Sequence, residues 1–372
     1  MLRYMTRHID RNKGEQHNMK SMKRVFDHIF IDGLSGMATG LFATLIIGTI
    51  IQQIGIFLGN GVGDCIFYVG KIAASVTGAG IGVGVAIKYQ KSGLIVLSAA
   101  VSGMIGGFAS SILSGTIIQD GTIILSGAGE PLGAFLAAFV SIEIGSLISG
   151  KTKLDILLTP LVAITAGSTV GLMIGPPISA GMMRIGELIN WGTAQQPFLM
   201  GIIVSVLMGM ILTLPISSAA LGVILNLSGL AAGAATVGCC CNMVGFAVAS
   251  YRENKIGGLF AQGIGTSMLQ VPNIMRKPTI WLPAILSSAI LGPISTMVVH
   301  MTNNATGSGM GSAGFVGQIM TWQTMIVEEE PMVVLIKIIM MQFVLPAVLT
   351  LCFSEIMRKQ EWIQEGDMAL EL

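Results

Sequence analysis

Residues 228–250 read SGLAAGAATVGCCCNMVGFAVAS, small and apolar from end to end and without one charge. As a helix such a run crosses the hydrocarbon core of a bilayer, about 30 Å thick, which takes about 20 apolar residues. Runs of the same kind lie on both sides of it, near 34–58, 66–87, 93–118, 128–149, 154–174, 198–222, 279–300 and 332–354. The whole chain agrees with this reading: of 372 residues, 52% are hydrophobic and 10% charged, and the mean hydropathy is +0.78. A soluble domain carries about 25% charged residues. Seventeen of the 20 basic and 19 acidic residues fall in the end segments 1–28 and 355–372. An ordinary soluble enzyme is excluded. The expected fold is an all-α, polytopic transmembrane helix bundle.

The remaining composition fits that solvent. Forty-nine glycines are scattered through the apolar runs without a G-X-Y period. Small residues let transmembrane helices approach closely where lipid supplies no drive for association. The 25 methionines fill irregular gaps between helices. The five cysteines include Cys239, Cys240 and Cys241 in a row. Three consecutive cysteines point around a helix in three directions and form no metal or redox pair, so they read as small buried residues. A net charge of +1 gives no reason to expect a nucleic-acid partner.

Two intervals, 175–197 and 257–275, are too rich in glycine, proline or polar residues to be clean spans. They hold Gly175-Pro176-Pro177 and Gln262-Gly263-Ile264-Gly265-Thr266. Interrupted helices survive at membrane depth where protein or a cavity satisfies the backbone. Basic residues recur at Lys88/Lys91, Lys151/Lys153, Arg252/Lys255, Arg276/Lys277 and Arg358/Lys359, and acidic ones at Asp64, Asp120 and Glu328–Glu330. The positive-inside rule then places both termini in the cytoplasm. The parity closes if 175–197 is a short broken span and 257–275 a re-entrant hairpin, which gives ten crossings. A shift of 164 residues overlays 34–58 on 198–222 and 66–87 on 228–250, which suggests an internal repeat of the kind transporters use.

Ionisable groups inside a membrane are costly and point to function. Glu130 precedes Pro131 at a helix start after a glycine-rich approach. There it can accept hydrogen bonds from sugar hydroxyls, bind a proton, or serve as a plain helix cap. His300 ends a span and is followed by Asn303, Asn304 and the glycine-rich stretch 305–314, which contains Gly307, Gly309 and Gly311. That stretch lacks the lysine of a phosphate-binding loop and its strand-helix setting, so no ATP site and no cofactor is implied. It reads either as a flexible loop or hairpin tip that gates a polar cavity, or as a plain extracellular loop with an interfacial histidine. Asn242 and Gln195 add neutral donors and acceptors, the groups that read polyols. Lys71 and Glu143 are candidates for an interhelical ion pair, and Arg184 and Glu187 for a local one. No HExxH or G-x-S-x-G motif is present, and the acidic residues are too dispersed for a metal cage.

On these residues the chain resembles the membrane permease subunit, enzyme IIC, of the bacterial sugar phosphotransferase system. In particular it resembles the stand-alone IIC-like branch that includes the perfringolysin regulatory protein. The resemblance covers residues 22–355. It rests on Lys23-Arg24-Val25-Phe26-Asp27 leading into Gly33-Leu34-Ser35-Gly36-Met37, on Gly175-Pro176-Pro177, and on the loop 307–317. Gly129-Glu130-Pro131 is similar to the Gly-Ile-Thr-Glu-Pro signature of glucose-type members, whose glutamate contacts sugar, with the match carried by Glu130 and Pro131. The resemblance implies a homodimer, a central site closed by re-entrant hairpins, and phosphorylation of the sugar by a partner IIB domain. The 18 residues after Ser354 are too few for such a domain, so separate IIA and IIB proteins are expected.

The sequence therefore predicts a basic extension at 1–28, a permease domain at 29–354 and a cytoplasmic tail at 355–372. The expected activity is translocation of a small polar, sugar-like solute across the bacterial cell membrane by alternating access. Glu130, His300, Asn303, Asn242 and Gln195 would bind it, with Gly175, Pro176, Pro177, Gly307, Gly309 and Gly311 shaping the gates. The alternative is a ligand sensor built on the same scaffold that transports little.

Overall fold

In a computed structural model of the chain, residues 27–119, 121–125 and 127–370 are described. All of the expected extension 1–28 except Asp27 and His28 lies outside them, as do Asp120 and Ser126. The first half contains α1 (Asp27–Leu58), α2 (Gly61–Ser75), α3 (Thr77–Lys88), α4 (Gly93–Gly107), α5 (Ala109–Leu113), α6 (Pro131–Ile148) and α7 (Asp155–Thr193). The second half contains α8 (Pro197–Thr213), α9 (Ser218–Ile224), α10 (Gly229–Ala249), α11 (Tyr251–Phe260), α12 (Val271–Arg276), α13 (Pro278–Val299), α14 (Ala305–Ser308), α15 (Val316–Met325) and α16 (Pro331–Lys359). Among the described residues, strand pairing is confined to a small antiparallel hairpin that joins Ile118–Gln119 to Thr122–Ile123. The fold is an all-α polytopic bundle.

Six helices, α1, α6, α7, α10, α13 and α16, are long and apolar enough to cross a membrane. The pair α2–α3, bent by 53°, makes a seventh, and α4 and α8 are shorter apolar helices. The surface is apolar where a soluble protein's would be polar: Phe57 is 91% exposed, and Ile156 and Val298 are also on the outside. Buried positions meanwhile hold many serines, threonines and amides. That inversion is what a lipid solvent selects.

Helix α1 packs antiparallel on α2–α3 through facing glycines. A Cβ on Gly40 would stand 2.2 Å from the Gly80 carbonyl oxygen, so the two backbones touch directly. Nearly every residue of α10 is buried, which makes it the axis of the second half. Helix α8 runs parallel to α10, because Ser205 faces Gly238 while Thr213 reaches Asn242. It runs antiparallel to α13, with Gly201 on Gly292 and the Ser205 hydroxyl on the Ser288 carbonyl. A Cβ on Gly238 would fall 1.9 Å from the Ser205 carbonyl oxygen, so glycine is required there.

Four expectations need correction. Residues 175–197 are not a separate broken span: Gly175, Pro176 and Pro177 sit inside the continuous 39-residue α7. The prolines give up the hydrogen bonds to the carbonyls of Leu172 and Met173. Both are exposed, so their rings meet no helix, and such prolines are tolerated in membrane helices. Buried Gly175 packs on Ala109 instead of making a hinge. The run 198–222 is not one helix either. It stops at Thr213 before Pro215, and because α8 and α10 are parallel, residues 214–228 must climb back to the end from which α8 started. The 164-residue overlay then equates unlike pairs, α1 with α2–α3 antiparallel and α8 with α10 parallel. The span expected at 93–118 is likewise broken at Phe108 and ends as helix at Leu113.

Candidate functional site

The contacts along α10 place two interrupted segments at its middle. From its Gly229 end, the Asn303 amide N–H donates to the Gly229 carbonyl. Gly233 lies against Met301, Thr236 against Gly307, and Cys239 against Gly311. The loop after α13 therefore descends along α10 and returns as α15. From the other end, Gln262 Nε2 donates to the Ser250 hydroxyl at 2.9 Å, and Gly263 packs on Ala247. Between α11 and α12 the backbone passes through a wide π turn at Ala261–Gly265, an extended Thr266 and a 3-10 turn at Ser267–Gln270. This is the hairpin expected at 257–275.

Loop and hairpin meet through one side chain. The Ser312 hydroxyl, fully buried, donates to the Gly263 carbonyl at 2.5 Å and lies 3.7 Å from Met243 Sδ. Gly314 packs on Thr49 and Ile50, and Gly265 on Phe42, so both tips face α1. In α1 that level is a wide turn at Phe42–Ile46. π turns inserted in helices recur at functional positions.

Beside this junction is a buried polar hub. Asn242, about 20 Å along α10 from Gly229, accepts at Oδ1 from Trp281 Nε1 at 2.8 Å and, at 3.2 Å, from the Thr213 hydroxyl. The Thr213 and Ser267 hydroxyls are 2.8 Å apart. Asn242 Nδ2 donates to the Gly238 carbonyl at 3.1 Å, and among the described residues its second N–H meets no acceptor. Four elements thus converge on one amide: α8 through Thr213, α10 through Asn242, the hairpin through Ser267 and α13 through Trp281. Hydroxyl, amide and indole groups are the donors, acceptors and aromatic face that an uncharged polyol needs.

Of the residues singled out in the sequence, Asn242 and Gly311 reach this junction. Asn303 is buried beside it, but its side chain is occupied. Nδ2 donates to the Thr236 hydroxyl at 2.7 Å and to the Gly317 carbonyl at 3.2 Å, and Oδ1 accepts from the Asn304 amide at 2.8 Å. It holds the loop's two limbs together. Gly307 packs on Asn303, and Gly309 on the Ser218 carbonyl. His300 is exposed, in left-handed backbone at φ 51°; its amide donates to the Ser295 carbonyl, and its imidazole has no hydrogen-bond partner among the described residues. Gln195 is at the periphery and bonds the Trp191 carbonyl of its own helix. Glu130 stands just before α6 at a different interface, and its carboxylate makes no cap bond. Its amide donates to the Gly107 carbonyl at 2.7 Å, and its Oε2 is buried without a partner.

The ion pairs also differ from expectation. Glu143 pairs with His28 at 3.1 Å, while Lys71 is exposed. His28 stacks on Tyr89, with ring centroids 4.1 Å apart. Arg184 and Glu187 are both exposed and make no ion pair among the described residues. Thr213, Ser267, Trp281 and Ser312 escaped the sequence reading. A single hydroxyl in an apolar run normally bonds a carbonyl one turn back, as Thr213 also does to Gly209, and gives no signal of its own. Among the described residues no cluster of three His, Cys, Asp or Glu side chains is placed to hold a metal ion.

A bundle of apolar helices in which interrupted segments gather polar groups at mid-depth is a multi-pass membrane protein of the transporter kind. The chain belongs to the phosphotransferase system EIIC family, whose model matches residues 31–370. It is thereby a multi-pass bacterial membrane protein of the permease class that serves sugar-like substrates. No curated protein matches it.

Proposed function

We propose that this chain carries a small, uncharged, sugar-like solute across the membrane by alternating access, with the Asn242 hub as its binding point. The observation that carries the reading is the meeting of the loop and the hairpin at Ser312 and Gly263, against Met243 and Ala247 of the most buried helix. Each segment enters from a different end of α10, so withdrawing one opens the hub to one face while the other still seals it. Glu130, whose buried oxygen lacks a partner, is the remaining candidate for a solute contact, on the α4–α6 side.

These contacts support eight crossings in place of the ten expected: α1, α2–α3, α4–α5, α6, α7, α10, α13 and α16 cross, while 197–228, 251–276 and 300–325 are re-entrant. An even number returns both ends of the described chain to one side. The basic clusters at Lys151, Arg252, Lys277 and Arg358 mark that side as cytoplasmic. Phosphorylation of the cargo would fall to separate IIA and IIB proteins, and the exposed apolar surface offers a face for a homodimer. The test is a thermal-shift screen of monosaccharides, disaccharides and polyols on purified protein, followed by flux of any hit in proteoliposomes. Flux supports the carrier. Binding without flux supports a sensor instead.

A further inference from the structure

Beyond α16 the chain folds back onto the hairpin. Ile363 and Met368 are buried, 2% and 0% exposed, against Phe246, Ala249, Ile274 and Ile280. The backbone of the returning segment is gripped by amides. Asn254 Nδ2 donates to the Met368 carbonyl, and Asn254 Oδ1 accepts from the Leu370 amide, both at 2.8 Å. Gln270 Nε2 donates to the same Met368 carbonyl at 3.0 Å and to Gln262 Oε1 at 2.9 Å. Asn273 Nδ2 donates to the Ala369 carbonyl at 2.8 Å, and Lys277 Nζ lies 2.6 Å from Asp367 Oδ2. Three of these residues, Gln262, Gln270 and Asn273, belong to the hairpin between α11 and the end of α12.

The position matters as much as the grip. Ala369 and Leu370 wall a cavity of about 20 Å³, whose other sides are Ser35 and Thr39 of α1 and Pro272 and Asn273 of the hairpin. This is the seam along which hairpin and α1 would have to part for the hub to open toward the basic face. A segment that bonds the hairpin through its main chain and closes the seam with its own residues resists that parting. Amides that read main-chain groups also release cleanly, since water can replace each bond.

We propose that residues 361–370 form a strap that locks the hairpin against α1 and must unseat before the hub opens to the basic face. The proposal rests on the reading of the hairpin as a gate. Its test is a reporter cysteine, Ser35→Cys, at a buried position of that seam, in full-length protein with Cys65→Ser and Cys352→Ser, reconstituted in nanodiscs and labelled with a charged maleimide. Lys277→Glu should speed labelling about tenfold, the change that goes with losing one charge-assisted hydrogen bond. Adding Asp367→Lys should return the rate to that of the starting protein, which a merely unfolded variant could not do. A chain ended after Gln360 should label at least as fast as Lys277→Glu. Equal rates in all of these folded variants, or no restoration by the charge swap, overturn the strap. No solute enters the assay, so the strap and the carrier can fail separately: labelling that obeys the prediction beside an absence of flux would leave the lock and remove the transport reading.

Discussion

Replacing Ser312 by alanine removes the side-chain bond that, among the described residues, joins the loop to the hairpin. The Gly263 carbonyl then has no partner in the closed arrangement, while in an opened one water can reach it. Leaving a buried acceptor unsatisfied costs about 1–3 kcal/mol. At 1.4 kcal/mol per factor of ten, the opened fraction should rise about 5- to 150-fold. The protein supplies its own reporter, because Cys239 is fully buried and Gly311 of the loop packs directly on it. With the exposed Cys65 and Cys352 replaced by serine, labelling of Cys239 from the Gly229 side should follow the opened fraction, provided reclosure outruns the reagent. Ser312→Ala should label faster by that factor, while Ser308→Ala, a change beside the same cysteine that leaves the junction intact, should shift the rate less than twofold. An unchanged rate in Ser312→Ala would refute the idea that this bond holds the two segments together.

Other outcomes follow from the same geometry. Asn242→Ala strands the Trp281 N–H, while the Thr213 hydroxyl keeps the Gly209 carbonyl and the Ser267 hydroxyl as partners, so it should abolish solute binding by calorimetry and lower thermal stability by about 1–3 kcal/mol. Gly238→Ala places a Cβ 1.9 Å from the Ser205 carbonyl and should yield little folded protein, whereas Gly257→Ala, with open space around it, should be silent in a thermal melt. Arg358 and Glu253 are 9% and 4% exposed at their side chains, so Arg358→Ala should destabilise by about 3–5 kcal/mol through the stranded carboxylate. Arg252→Ala, at a pair 61% and 32% exposed, should cost under about 1 kcal/mol. Glu130→Gln, nearly isosteric, should weaken solute binding without altering the melt, and unchanged affinity would remove Glu130 from the site.

What the sequence exposes and what it hides can be separated physically. Helix α10 occupies 229–249, within a residue of the expected 228–250, because serines bracket an uninterrupted apolar run. The interruption at 257–275 is also plain, since Gln262 and Thr266 stand among closely spaced glycines and break the apolar run. Hydropathy alone could not tell that α8 ends at mid-depth: seventeen apolar residues look alike whether the helix crosses or stops at Thr213. Gly175-Pro176-Pro177 misled in the opposite direction, because outward-facing prolines cost a helix two hydrogen bonds without ending it. Glu143 looked like a partner for Lys71, yet it pairs with His28, a residue from the start of α1 that no local spacing connects to it. The hub was half visible: Asn242 stood out as an amide in an apolar run, while its partners Thr213, Ser267 and Trp281 are brought to it by the fold.

The central claim is that the loop and the hairpin must separate for solute to pass. Cysteines at Ser312→Cys and Gly263→Cys, in a background with the native cysteines replaced, would belong to the two residues whose hydroxyl and carbonyl now touch, and a Cβ at Gly263 meets only ordinary contact with Ala247. In proteoliposomes loaded with a solute from the binding screen, the account predicts flux in the reduced state, none after oxidation, and recovery with reductant. Equal flux in the cross-linked and reduced proteins would contradict it.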